Sequence, residues 1–326
     1  MKRGWAFAAL LGAVAGPVVA QTQSATPPVA TATSPTPGSA TAPTTDSGSL
    51  IVFGNDERRM TVPVSIAKNG PFHFIVDTGA ERTVISRQLA DQLTLSPGRA
   101  VRVTAMANIT NVPTALIPSL SVSRIASPPI EAPMMETANL GAAGMIGIDA
   151  LKGHVVLIDF DRNEMTLKPS SRRVQHYDPG DIVVRAKNMY GQLIVTDARY
   201  HGKRISVVVD TGSQVTIGNS ALRNILKTPP QDAQQVALLS ATGASLQAER
   251  GLVDWIEIGG IRFDHVPLAF ADAKPFERFG LSKTPAIMLG MDTLRLFRRV
   301  RIDFANREVM FTMPRGSVPD SAPRGI

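Results

Sequence analysis

The stretch FIVDTGAERTVIS, residues 74–86, runs three large apolar residues into Asp77, passes through Thr78 and Gly79, and returns to apolar residues at Val84 and Ile85. It aims a carboxylate out of what reads as a buried strand. The stretch VVVDTGSQVTIGN, residues 207–219, does the same around Asp210, 133 positions later. One Asp-Thr-Gly would arise by chance in about one chain in ten of this length. A tight turn accounts for each tripeptide, since Asp caps and Gly accepts positive φ. It does not account for two preceding apolar strands in register with a longer repeat.

That repeat emerges when the two aspartates are superposed. Nine residues after each stands a helix-capping type, Ser86 and Asn219, whose side-chain oxygen can accept from free amides at a helix start. Leu89 and Leu93 in the first copy, and Leu222 and Leu226 in the second, then hold the i, i+4 spacing of one buried helix face. Each copy closes on a similar phrase, GMIGIDALKGHVVLIDFDRNEMTLKP and AIMLGMDTLRLFRRVRIDFANREVMFTMP. Gly147 follows Asp77 by 70 residues and Gly290 follows Asp210 by 80, which places an insertion of about ten residues in the second copy, at 273–285. A connector rich in charge and turn residues, 170–181, divides the chain into halves at 49–172 and 173–314.

The 326 residues, 44% apolar, suffice for two domains that each bury a core. Residues 1–20 are read as a signal peptide. Lys2 and Arg3 precede an apolar run from Trp5 to Val19, and Val18 and Ala20 supply small residues for cleavage after Ala20. The run is interrupted by Gly12, Gly16 and Pro17 and is shorter than the ~20 residues that span a bilayer. The expectation is export to the periplasm or beyond, with no stable membrane insertion. Residues 21–48 are almost all Thr, Ser, Ala and Pro and read as a semi-extended linker; 315–326 read as a loose tail. The chain has no cysteine, so neither a disulfide nor a cysteine-linked lipid contributes. A net charge of +7 without interleaved aromatics, which are 5% of the chain, reads as a solubility property and not as a nucleic-acid surface.

On these residues the chain resembles the retropepsin-like aspartic proteases. The resemblance spans nearly all of 50–313 and rests on apolar-apolar-Asp-Thr-Gly in each half followed by Met145-Ile146-Gly147 and Met288-Leu289-Gly290. It implies an all-β, two-lobed acid-protease fold with a pseudo-two-fold axis, each lobe carrying short helices, and a peptide or protein as substrate. Asp77 and Asp210 are the implied catalytic pair. Two carboxylates so placed share one proton, the aspartic proteases being a standard instance. One acts as base on a water and the other donates to the scissile carbonyl, so neither a metal nor a cofactor is expected. The resemblance makes Thr78 and Thr211 cross-linking supports, and has Gly147 and Gly290 brace loops whose remaining members are Gly79, Ala80, Gly212 and Ser213. A short helix follows each bracing glycine, for Asp149 and Asp292 to cap. The residue after each Asp-Thr-Gly tunes acidity in the family. Ser213 is therefore expected to donate to Asp210 and keep it ionised, leaving the proton on Asp77 beside Ala80. The first flap segment, 101–114, has no glycine and is expected to be stiff or displaced; the second contains Gly243. One chain with both repeats implies a monomer with an internal pseudo-dimer.

Other chemistries fit less well. Sugar kinases and actin-like ATPases also set an Asp-x-Gly loop after a strand, but these halves are too short and too poor in helix. Haloacid-dehalogenase phosphatases need a second acid where Thr78 and Thr211 stand. The five histidines (73, 154, 176, 201 and 265) are scattered, no Gly-x-Ser-x-Gly occurs, and a cysteine nucleophile is impossible. Arg295, Arg298, Arg299 and Arg301 read as a solvated helix face. The alternative of another class is a peptide-binding module of protease fold that does not cleave.

Overall fold

The computed structural model describes residues 5–7, 49–52, 60–122, 125–171, 177 and 181–314. The linker, the tail, most of the leader and most of the connector lie outside them. Strands dominate each half, and the two halves use the same local plan. In the first, Asn69–Val76 carries the chain into Asp77 and pairs in parallel with Gly144–Ile146, Phe74 facing Gly144 and Val76 facing Ile146. In the second, Lys203–Val209 leads into Asp210 and pairs in parallel with Ala286–Leu289, Val208 facing Met288. The strand after each loop returns antiparallel to the same partner, Val84 against Met145 and Ile217 against Met288. This parallel pair explains why the run before each aspartate is apolar throughout: it is covered on both faces.

Both expected helix starts form. Ser86 Oγ accepts from Leu89 N at 3.2 Å and Asn219 Oδ1 from Leu222 N at 2.9 Å, with Leu89 and Leu222 buried. The second half's extra residues form a helix, Lys274–Arg278, and the turn after it.

The halves meet in a shared sheet. At the seam its order runs Asp181–Met189, Glu308–Thr312, Arg299–Asp303, His154–Asp159, Glu164–Pro169 and Ser49–Val52, and from Asp181–Met189 the sheet continues into the second half through Gln192–Tyr200. The central contact joins the closing strands of the two halves, Val156 opposite Ile302 and Ile158 opposite Val300. The solvated arginine face is not observed. The helix there is only Met291–Leu294, and Arg299 and Arg301 lie in the seam strand. Arg299 pairs with Asp159 at 2.6 Å, and buried Arg301 reaches Asp303 at 3.0 Å and Glu308 at 3.2 Å. A buried strand inside a sheet can carry charge only where partners are fixed in place, as here.

Two hairpins reach over the loops: Val101–Thr104 with Ile109–Val112 in the first half, and Gln231–Leu239 with Ser245–Ile258 in the second. Trp5–Phe7 run parallel to Val101–Thr104 on the outer edge of the first. Among the described residues no helix is long and apolar enough to cross a membrane.

Candidate active site

Strand alternation sets the site. Phe74 and Val76 face the main core, which leaves Ile75 and Asp77 on the opposite face; Val207 and Val209 against Val208 and Asp210 repeat the pattern. Backbone bonds to the parallel partner then fix each aspartate, Asp77 N donating to Ile146 O at 2.9 Å and Asp210 N to Leu289 O at 3.1 Å.

Thr78 and Thr211 cross between the lobes. Thr78 Oγ1 donates to Val209 O at 2.9 Å and Thr211 Oγ1 to Val76 O at 2.8 Å, so each hydroxyl holds the residue preceding the other half's aspartate. Each hydroxyl also accepts the other threonine's N–H, at 3.1 and 3.2 Å. All four groups are buried, so the bonds have no competing water. Glycine is required on both loops: a Cβ on Gly79 would lie 2.6 Å from Asp210 Oδ1, and one on Gly212 would strike the Asp77 carboxyl.

The carboxylates are fully buried and Asp77 is a hydrogen-bonding neighbour of Asp210. Gly79 N donates to Asp77 Oδ1 at 2.7 Å, while Gly212 N and Ser213 N donate to Asp210 Oδ1 at 3.1 and 3.2 Å. Burial first, and the Asp77 charge second, push Asp210 well above its ordinary range. The expected Ser213 donation is absent. Its hydroxyl donates to Val215 O at 2.7 Å, closing its own turn, and only the Ser213 backbone reaches the carboxylate. With that donor turned away, nothing in the Ser213 side chain marks Asp210 as the ionised member of the pair. Ala80 is buried and its carbonyl accepts from Ile148 N at 2.9 Å; Ser213 O accepts likewise from Met291 N at 2.8 Å.

Gly147 and Gly290 stand against the loops, where a Cβ would meet Arg82 backbone in one half and Val215 O at 2.5 Å in the other. They, not the aspartates, are the N-caps of Ile148–Leu151 and Met291–Leu294. Asp149 and Asp292 sit one position into each helix and turn back to the loop. Asp149 Oδ1 accepts from Thr83 N and Oγ1 at 2.8 and 2.7 Å, and Asp292 Oδ1 from Thr216 N and Oγ1 at 2.9 and 2.6 Å. Burial outweighs these bonds and raises both acids. Thr83 and Thr216 complete the brace by accepting from Gly147 N and Gly290 N. Their signal was in the repeat, at plus six from each aspartate.

One side of the site breaks the symmetry. The hairpin tip between Asp181–Met189 and Gln192–Tyr200 sends Gln192, fully buried, to donate to Gly79 O at 2.7 Å. Beside it Glu81 pairs with Arg278 at 3.2 Å, and Arg278 lies 4.1 Å over the Tyr190 ring. Burial, opposed by Arg278, raises Glu81. The second loop has Gln214 where the first has Glu81, so no repeat pattern could disclose this contact.

The flaps are closed. The first is not displaced: Ala105 N donates to Asn108 O at 2.9 Å and its tip turns with no residue at positive φ, which is why it needs no glycine. The second turns through Gly243 at φ +84°. Asn108 and Thr242 join the tips at 2.8 Å.

Comparison with protein families places two models on the chain. The model for gag-polyprotein aspartyl proteases matches residues 62–153, and that for aspartyl proteases matches 196–293. No curated protein sequence matches. Each matched segment holds one Asp-Thr-Gly loop and its bracing glycine, and the lobes repeat one strand plan about the threonine crossing. The chain belongs to the aspartyl proteases, as a tandem of two retropepsin-like domains.

Proposed function

We propose that the protein is an aspartic endopeptidase whose single active site is formed by both halves of a monomeric chain. The observation that carries the reading is the reciprocal Thr78–Thr211 grip, which delivers two buried carboxylates to each other. Like charges so close in a buried site retain one proton between them. The ionised carboxylate takes a proton from a water held between the pair as that water attacks the peptide carbonyl, and the protonated one donates to the carbonyl oxygen. The resulting diol collapses as a proton passes to the departing amine, and the dyad is restored. Because the pair titrates as a unit, its apparent constants belong to both acids. Activity should fall as pH rises past the elevated Asp210 value, where the shared proton is lost.

Substrates are extended peptide segments in the cleft, paired with flap strands; nucleic acid is no partner. Residues 1–20 direct export and are removed, without lasting membrane insertion. Incubation with a mixture of unfolded proteins tests the catalytic reading: the native chain should cut it and Asp77→Asn should not, whereas a peptide-binding module would leave it whole in both cases. A mature N-terminus at Gln21 in an extracytoplasmic fraction is the expected result for export.

A further inference from the structure

The two flap tips are seated in opposite lobes. Ile75 and Val208 stand two residues before the aspartates and share their strand face, so the apolar clusters around them are the cleft walls. The cluster around Val208 belongs to the second half except for one member, Met106 at the tip of the first flap. The cluster around Ile75 belongs to the first half except for Ala241, at the tip of the second. Both are 0% exposed, so the walls close on them without a water-sized gap. Backbone contacts fix the seats. Lys274 N donates to Met106 O at 2.9 Å, and Asn139 Nδ2 lies 2.8 Å from where a Cβ on Gly243 would stand.

The seats differ in size. Met106 enters a site deepened by Phe276 and Phe279, which the second half's extra segment supplies. Ala241 enters one shut by Leu140, Met135 and Met145. We infer that Met106 and Ala241 occupy the places of two substrate side chains, so that the cleft takes a peptide with a long apolar residue against the second lobe and a methyl-sized one against the first. The inference rests on the cleft being where the peptide lies. A strand laid across the dyad sends side chains to these same walls, and each must displace a flap tip. The flap tips thus compete with substrate, and apparent affinity is lowered by the fraction of molecules whose seats are filled.

Binding of labelled octapeptides of Ala and Ser to the Asp77→Asn protein tests this without turnover. The central pair is Met-Ala, Ala-Met, Met-Met or Ala-Ala. One mixed order should bind about tenfold more tightly than its reverse and than Met-Met, the burial of one such side chain being of that size. Met106→Ala in the same background should tighten that peptide and Ala-Ala alike, by about fivefold to tenfold, because the fraction of filled seats lowers the affinity of every peptide that enters the cleft. Thr242→Ala, which releases the tip contact without entering either seat, should tighten it in the same direction. Met-Met binding as well as the better mixed pair overturns the asymmetry, and unchanged or weaker binding in both flap variants overturns the competition. The catalytic reading is tested apart from this, since it fails if the Asp77→Asn protein itself cleaves.

Discussion

Gln192 donates its side-chain amide to the carbonyl of Gly79, tying a hairpin of the second half to the loop that carries Asp77. Gln192 Oε1 is buried without a hydrogen-bond partner among the described residues, so the residue is held there by one bond. Gln192→Met keeps the volume and removes the donor, leaving the Gly79 carbonyl unsatisfied at a cost of about 1–3 kcal/mol. The expected outcome is a melting temperature lower by roughly 2–4 °C per kcal/mol. Turnover of a peptide substrate should fall by more than its KM rises, because the anchor acts on the loop and not on binding.

The dyad should weaken the fold at neutral pH. Asp210 is raised above its ordinary value of 3.8 in the folded chain. Between the two values the folded state binds more protons than the unfolded one, so stability is highest below 3.8 and declines as pH rises toward the folded value. Asp210→Asn removes this dependence. Thermal melts should show the variant inactive yet more stable than the native chain at pH 7, with the gain shrinking toward pH 4. A variant less stable than native at pH 7 would contradict the shared-proton picture.

Ser213→Ala should leave the acidic limb of the pH–rate profile in place. The hydroxyl bonds Val215 O, not the carboxylate, so its loss should cost stability of about 0.5–1.5 kcal/mol and no more. Movement of that limb by a unit or more, in a variant that remains folded, would show that the hydroxyl turns to Asp210 during catalysis.

Deleting residues 308–314 should abolish folding. Glu308–Thr312 lies between Asp181–Met189 and Arg299–Asp303, and its Glu308 is one of the two acids that neutralise buried Arg301. Removing one partner of a buried pair costs about 3–5 kcal/mol before any ladder bond is counted. Arg301→Ala is the milder form of the same experiment, read as a shift in the urea midpoint.

Much of this was legible in the sequence because it is periodic. The strands before Asp77 and Asp210, the caps Ser86 and Asn219, and the bracing glycines all recur at related spacing, and recurrence separates a buried pattern from a coincidence. The strands His154–Asp159 and Arg299–Asp303, which meet at the centre of the seam, fall within the similar phrases that close the two copies. What stayed hidden has no period. Gln192 and Arg278 reach the first loop from segments whose counterparts differ, and nothing local distinguishes them from surface residues. Ser213 misled because its spacing shows that a hydroxyl is present but not where it points, and a carbonyl two residues on is the nearer acceptor. The arginines from 295 to 301 misled because a short helix gives way to a strand within their run.

The shared seam has a consequence for how the two lobes can differ. A pair of identical chains built from one such repeat would carry each substitution twice, and a change that favoured one wall of the cleft would be imposed on the other. Joining the copies within one backbone lifts that restriction. Glu81 can face Arg278 while Gln214 stands at the matching place in the other loop, and one lobe can hold an additional helix that the other lacks. The cross-lobe threonines and the central strands keep the geometry common to both halves, and the individuality of the protein resides in the residues where the copies disagree.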